Sequence, residues 1–319
     1  SNKNKQMKNH LALIKAENRY QAMLTAIGLH NYPEKNGEII ANDLSNTDWH
    51  VDQNYKAYQE CKNPDEIFTY MNRCGKIKTT NNEENNHMAY FQVNWNQYTE
   101  SLSELAIKEI WSNKTYPDNK ILTNYLVHTY EKLTLEKNII ATKEFGLFNT
   151  GLFTEYYQPI YAYHDINGLQ FLTDYELGNM NISERPQRAN YFEDPSLLLF
   201  DWHYEININY KHILKDIKNL NRIPEKLQDS KNILNNLNGS IETMKKRVSA
   251  NYKLAVPQYY EKKIQLLLPL CLENDDIPDL ALAVTKVGDY YQGHTCLTLD
   301  MAYNNARLIA KPESNWLVP

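Results

Sequence analysis

Tyr303, Asn304, Asn305 and Arg307 place a phenol, two amides and a guanidinium within five residues of one another. A guanidinium offers a planar fork of donors that matches a phosphate or carboxylate, and amides can read the edge of a base or a sugar. Just upstream, Leu297, Leu299 and Met301 alternate with Thr298 and Asp300, the period of a half-buried strand, so the polar group is expected at that strand's exit. The same residues also suit a strand end whose polar groups satisfy loop backbone. A second candidate combines Lys211 and His212 with Arg222, which stands before a proline turn at Pro224. It makes a small cationic corner with a titratable imidazole, a combination that proteins without catalysis also carry. A third is Asn149 beside Thr150-Gly151, where glycine lets a backbone amide approach a ligand, although a plain turn asks for the same residues. A fourth is Lys253, after Asn251-Tyr252, with Lys262 and Lys263 able to line the same surface. Lys245, Lys246 and Arg247 are explained by the end of a helix, where cations complement the dipole. Asp275, Asp276 and Asp279 lack the alternating spacing of a calcium loop and read as a solvated turn.

The elements that must position these groups have room to do so. At 319 residues the chain can bury a proper core, and its 42% hydrophobic and 23% charged residues are ordinary for a folded protein. A net charge of -5 excludes an even coat of nucleic-acid-binding charge but leaves room for a local basic groove. Twenty-four tyrosines against eight phenylalanines is a skew that AT-rich codon usage explains without selection for stacking. Cys61, Cys74, Cys271 and Cys296 have no CxxC spacing and read as free thiols of a reducing compartment. No apolar run approaches the ~20 residues of a membrane span, and no signal core is present, so the chain is expected in the cytoplasm without membrane association. Nothing in the spacing asks for a metal or an organic cofactor.

Helices are expected over about 11–29, 39–44, 64–74, 102–110, 119–133, 229–250 and 258–272. Strands are expected over 76–80 paired with 88–95, then 139–150, 156–164 and 169–175 as a meander with a tight turn at Asn167-Gly168, and 280–287 leading to the C-terminal hairpin. The expected class is α+β: a mainly antiparallel sheet, meander plus C-terminal hairpin, packed with several helices. A small helix-and-hairpin region precedes it, dividing the chain at 1–98 and 99–319. Helices followed by a hairpin suit a winged module with Lys76 and Lys78 on its wing, and equally a packing extension that touches no nucleic acid.

An ordered series of segments carries a family resemblance. It runs through Phe148-Asn149-Thr150-Gly151-Leu152, His212-Ile213-Leu214, Asn221-Arg222-Ile223-Pro224, Asn251-Tyr252-Lys253 with Val256-Pro257, Leu267-Leu268-Pro269-Leu270, Pro278-Asp279-Leu280-Ala281-Leu282 and Leu299-Asp300-Met301-Ala302-Tyr303-Asn304-Asn305-Ala306-Arg307 to Trp316-Leu317. Together these resemble the bacterial domain of unknown function 3825, over about 102–317. Members that sit beside cold-shock or OST-HTH modules imply work on RNA or nucleotides, in RNA processing or phage defence. The resemblance gives weight to Asn149, His212, Arg222, Lys253 and Arg307. The expectation is one concave face on which Arg222, Lys253 and Arg307 hold phosphates while Asn149, Tyr303 and Asn304 contact base or ribose. The alternatives are a metal-independent phosphodiesterase or nucleotide hydrolase with His212 as general acid or base, and a sequestering protein without turnover.

Overall fold

The computed structural model describes residues 96–319 except 143–144 and 166–167, together with the strands β1 (Lys8–Lys15), β2 (Ala41–Asn42), β3 (Asp48–Trp49) and β4 (Asn86–Val93). The chain divides into two units: Ser1–Glu109 with Leu126–Ala189, and Ile110–Tyr125 with Asn190–Pro319. The class is α+β with mainly antiparallel sheets, as expected.

In the first unit β1 pairs antiparallel with β4 along eight residues, and β2 with β3. This corrects the helices expected over 11–15 and at 41–42. The strand expected near 88–95 pairs with β1, a partner some seventy residues away that leaves no local periodicity to read. The remainder of the helix expected to 29, the helix at 64–74, the strand at 76–80 and Asn167 lie outside the described residues. Helix α1 (Asn96–Leu105) begins earlier and ends earlier than its periodicity suggested, with Ser101 inside it rather than capping it. Helix α2 (Lys120–Leu135) matches expectation and passes from the second unit into the first.

The meander follows as β5 (Ile140–Ala141), β6 (Gly146–Phe153), β7 (Pro159–Asp165) and β8 (Gly168–Thr173), antiparallel in that order. Buried residues run almost unbroken along β6 and β7 because both faces of the sheet are covered. Tyr130 meets Phe148 edge-on at 5.5 Å on one face. On the other, Leu147, Tyr161, Tyr163 and Leu172 pack with Leu177 of α3 (Asp174–Asn179) and Ile182.

The second unit is built on the sheet β10-β11-β12-β13-β9, comprising β9 (Glu205–Ile208), β10 (Val256–Tyr260), β11 (Lys263–Leu270), β12 (Leu280–Val287) and β13 (Tyr290–Thr298). Only the β9–β13 pair is parallel among these strands. At Gly293 the two strands approach closely: a Cβ there would stand 2.7 Å from the tip of Ile208, Cδ1. Between β9 and β10 come α4 (Tyr210–Lys215), α5 (Ile217–Leu220), α6 (Glu225–Gln228) and the long α7 (Ile233–Ala250). Leu237, Ile241, Met244 and Val248 repeat at helical spacing and pack on Leu266, Leu268, Leu280 and Leu282. Leu234, expected on that stripe, is exposed.

Two expectations are overturned here. The helix expected over 258–272 is the β10–β11 hairpin, closed by Glu261 and Lys262 at φ 49° and 64°, the handedness of a type I′ turn. Pro269 had already made a continuous helix costly, since it removes an N–H and clashes one turn back. The strand expected to run through Met301 stops at Thr298, whose hydroxyl accepts from Met301 N at 3.4 Å and opens α8 (Leu299–Arg307). Ala302, Tyr303 and Ala306 then fall on one buried helical face. Among the described residues no helix is long and apolar enough to cross a membrane.

Candidate functional site

Two short helices aim the polar groups of the second unit. Asn209 opens α4 by accepting from His212 N (3.1 Å), and Asp216 opens α5 by accepting from Lys218 N (2.9 Å). The resulting turn carries Asn219 back against His212. Its Nδ2 donates to the His212 carbonyl (3.1 Å) and lies 3.1 Å from His212 Nε2. Its Oδ1 accepts from the Thr295 hydroxyl on β13 (3.3 Å), which fixes the amide's orientation. Asn219 is buried whereas His212 is exposed, so a solvent-facing imidazole is held by an interior amide.

Arg222 follows three residues later. Its Nη1 donates to Thr295 Oγ1 (3.2 Å) and to the Cys296 carbonyl (2.9 Å). Among the described residues its Nε and Nη2 have no hydrogen-bond partner and no carboxylate forms an ion pair with it. The guanidinium is half-buried, anchored on one side and open on the other. Tyr116 stands in its field: burial lifts the phenol above its ordinary value, Arg222 pulls it down, and Asp300 adds to the lift.

β13 contributes a further imidazole through an irregularity. Ala283 pairs with Thr295 and Val284 with Gly293, which leaves His294 as the extra residue of a β-bulge. Bulges of this kind re-aim a side chain. His294 Nε2 lies 3.0 Å from Thr285 Oγ1. Burial holds its imidazole below the ordinary value, Lys263 and His212 push the same way, and Glu261 opposes them. On the same face of the sheet Gln258 donates to Gln265 at 2.7 Å, both buried, and Gln258 Oε1 has no partner. The arrangement offers a fixed cation linked through Asn219 and Thr295 to one imidazole, with a second imidazole within that ring's field, the ingredients for holding a phosphate and for moving a proton.

The predicted residues divide among different surroundings. His212 and Arg222 are joined through Asn219 and Thr295, neither of which sequence reasoning singled out. Tyr303, Asn304 and Arg307 come together on the buried face of α8, at 2%, 5% and 5% exposure. The Arg307 guanidinium sits 4.4 Å from the Trp111 ring centroid and 4.8 Å from that of Tyr125, and Asn304 Oδ1 accepts from Asn124 Nδ2 at 2.9 Å. The first turn of α8 is tied to the same segment, Asp300 Oδ2 accepting from Thr115 N (2.9 Å) and Thr115 Oγ1 (2.8 Å). Lys253 lies exposed on a turn that the Ser314 hydroxyl and the Trp316 indole clip from behind. No hydrogen bond or ion pair among the described residues joins its ammonium to either group.

Asn149 belongs to the first unit and is buried there. Its Nδ2 donates to the Pro186 carbonyl (3.3 Å) and its Oδ1 accepts from Gly151 N (2.8 Å), an Asx turn at an irregular stretch inside β6 rather than a loop between strands. Gly151 there has φ 77°. His294 was missed because a bulge depends on the register of two strands and leaves no mark in one of them.

The chain matches the family described as Domain of unknown function (DUF3825) over residues 102–316. No curated protein and no solved structure matches it.

Proposed function

Because the chain belongs to the DUF3825 family, a domain of unknown function, its chemistry has to be read from its own side chains, and we propose that it binds RNA or a nucleotide by a phosphate held at Arg222. One observation carries the reading: a half-buried guanidinium anchored through Nη1 by Thr295 and Cys296, with no partner for Nε and Nη2 and no carboxylate paired with it among the described residues. An arginine in that state keeps its planar fork for an outside anion. The Tyr116 phenol and the His212 imidazole supply neighbouring polar groups. The proposal extends to a bacterial cytoplasmic setting in RNA processing or phage defence, and the free thiols Cys271 and Cys296 support a reducing compartment.

Fluorescence anisotropy of a short single-stranded RNA, read across a salt series, tests it. Affinity falls as salt rises, and Arg222→Ala lowers it about tenfold and flattens the salt slope by about one. An unchanged slope in a variant of wild-type thermal stability overturns the reading.

A hydrolytic second reading is favoured by one feature, the bulge that turns His294 toward Thr285 within the field of His212. In it one imidazole takes the proton of water as its oxygen attacks phosphorus, and the other gives a proton to the departing oxygen. His212→Ala and His294→Ala then each abolish product formation with RNA binding retained. Intact RNA after prolonged incubation with the unmutated protein leaves binding alone.

A further inference from the structure

The tip of the β6–β7 hairpin, in the first unit, holds two aromatic rings out in water. Tyr156 and Tyr157 are 77% and 76% exposed. The turn beneath them is tightly made. Thr154 N donates to the Gln158 carbonyl (2.9 Å) and Tyr157 N to the Thr154 carbonyl (2.9 Å), while Thr154 Oγ1 accepts from Tyr156 N and Gln158 N, both at 3.3 Å. Tyr157 has φ 57°, the left-handed region, which a bulky side chain seldom occupies. A ring forced into that backbone and left unburied gains nothing from the fold, and such residues concentrate at sites of function. Phe153 stands behind it, 6.4 Å from the Tyr157 ring and tilted.

The rings border a cavity of about 580 Å³ whose other wall is the end of α1. That size suits a small organic ligand. Its charges narrow the class. Glu104 and Glu155 line it, and neither carboxylate makes an ion pair among the described residues. Lys108 also lines it, but its ammonium is engaged by the carbonyls of Ser103 (3.2 Å) and Glu104 (3.0 Å) at the helix end. Behind the tip Arg188 donates to the Gly151 carbonyl (3.1 Å) and lies 5.2 Å from the Phe153 centroid. Two open acids with two committed cations make a poor place for a phosphate. Of the residues that line it, two are carboxylates and one an ammonium, an acidic excess that suits a planar group with donors on its edge.

We propose that this cavity takes the base of a nucleoside, packed against Tyr156 and Tyr157, with acceptors among Glu104, Glu155 and Gln158 for its exocyclic amine. Stacking supplies most of the affinity, because every base has a π face. The carboxylates favour bases that carry an amine, adenine, guanine or cytosine, over uracil. This site is independent of the phosphate reading at Arg222.

The test uses phosphate-free nucleosides with the full chain, followed by saturation-transfer NMR and tyrosine fluorescence at low and high salt. At least one amine-bearing nucleoside binds, with an affinity that salt leaves within a factor of about two, since no phosphate takes part. Tyr156→Ala and Tyr157→Gly each weaken it about tenfold. Tyr157→Gly does so with a melting temperature equal to or above that of the unmutated protein, because glycine accepts the left-handed φ. Arg222→Ala leaves nucleoside binding unchanged, so the two sites fail separately. The proposal is overturned if no nucleoside saturates the protein at millimolar concentration. It is also overturned if tetramethylammonium or arginine amide displaces every nucleoside, which marks a cation site, or if Tyr157→Gly lowers the melting temperature and leaves binding intact, which marks a packing role.

Discussion

Replacing Arg307 by alanine separates two uses of a guanidinium. If Arg307 gripped a ligand, its loss would remove binding and leave the fold. Its position argues the reverse. It is 5% exposed, with the Trp111 ring centroid at 4.4 Å and the neighbouring Tyr125 centroid at 4.8 Å. A cation over an aromatic face contributes about 0.5–1 kcal/mol when exposed and about 2 kcal/mol or more when desolvated. Two such faces at a buried site give on the order of 3 kcal/mol, and the stem leaves a void besides. In a unit of about 150 residues 1 kcal/mol moves the midpoint by about 2–4 °C, so Arg307→Ala lowers Tm by about 6–12 °C. Arg307→Lys keeps the charge but not the planar stack, and falls between. Differential scanning calorimetry reads the midpoint, near-UV circular dichroism reports the surroundings of Trp111, and RNA anisotropy below the transition reads binding. A variant with unchanged Tm and lost RNA binding would refute the packing role and return Arg307 to the ligand.

Burial holds His128 and His164 in the first unit to a pKa of about 4, against an ordinary 6.5. The unfolded chain therefore takes up protons first as pH falls, and stability present above about pH 6.5 is lost progressively toward pH 4, by about 3 kcal/mol per histidine, as urea titrations across that window will show. Site-resolved thiol labelling should leave Cys296 unreacted in the folded protein, since burial pushes its thiol up to about 12, while Cys271, part-exposed and raised by burial against the pull of Arg247, reacts slowly and faster as pH rises. Gly293→Val drives side-chain atoms into Ile208 and costs about 1–3 kcal/mol; hydrogen exchange should show the β9 amides losing protection before those of β11.

What the sequence made legible follows from where each signal resides. The α7 stripe Leu237, Ile241, Met244 and Val248 is a property of one segment's own periodicity and reads directly. So does β12, an apolar run ended by Gly288 at φ 62°. The β10–β11 segment misleads because Tyr259, Ile264 and Leu267 meet a helical template as readily as a hairpin, and its turn uses Glu261-Lys262 in place of the usual Asn-Gly. At Thr298 the alternation of Leu297, Leu299 and Met301 masked an N-cap. The Ala302, Tyr303, Ala306 spacing that marks the helix begins only after it. Of the site, His212 and Arg222 were visible by type. The groups that orient them, Asn219 and Thr295, lie up to 76 residues apart and are linked only once β13 stands beside α5.

The contrast among the arginines is what gives Arg222 its standing. Arg185 is ion-paired with Asp174 and also donates to the carbonyls of Ile182, Glu184 and Asp174. Arg188 lies over Phe153 and holds the Gly151 carbonyl. Arg307 lies against the Trp111 and Tyr125 rings. Arg247 donates to Cys271 Sγ at 3.0 Å, and the Asp276 and Asp279 carboxylates act on that same thiol, so its charge has acidic company. Arg222 differs from all four: Thr295 and the Cys296 carbonyl hold it through Nη1, and among the described residues no carboxylate pairs with it. Orienting a guanidinium costs side-chain entropy, and leaving its charge half-buried without a counter-ion costs desolvation. A bound anion would offset both costs, and among the described arginines this is why the phosphate proposal rests on Arg222.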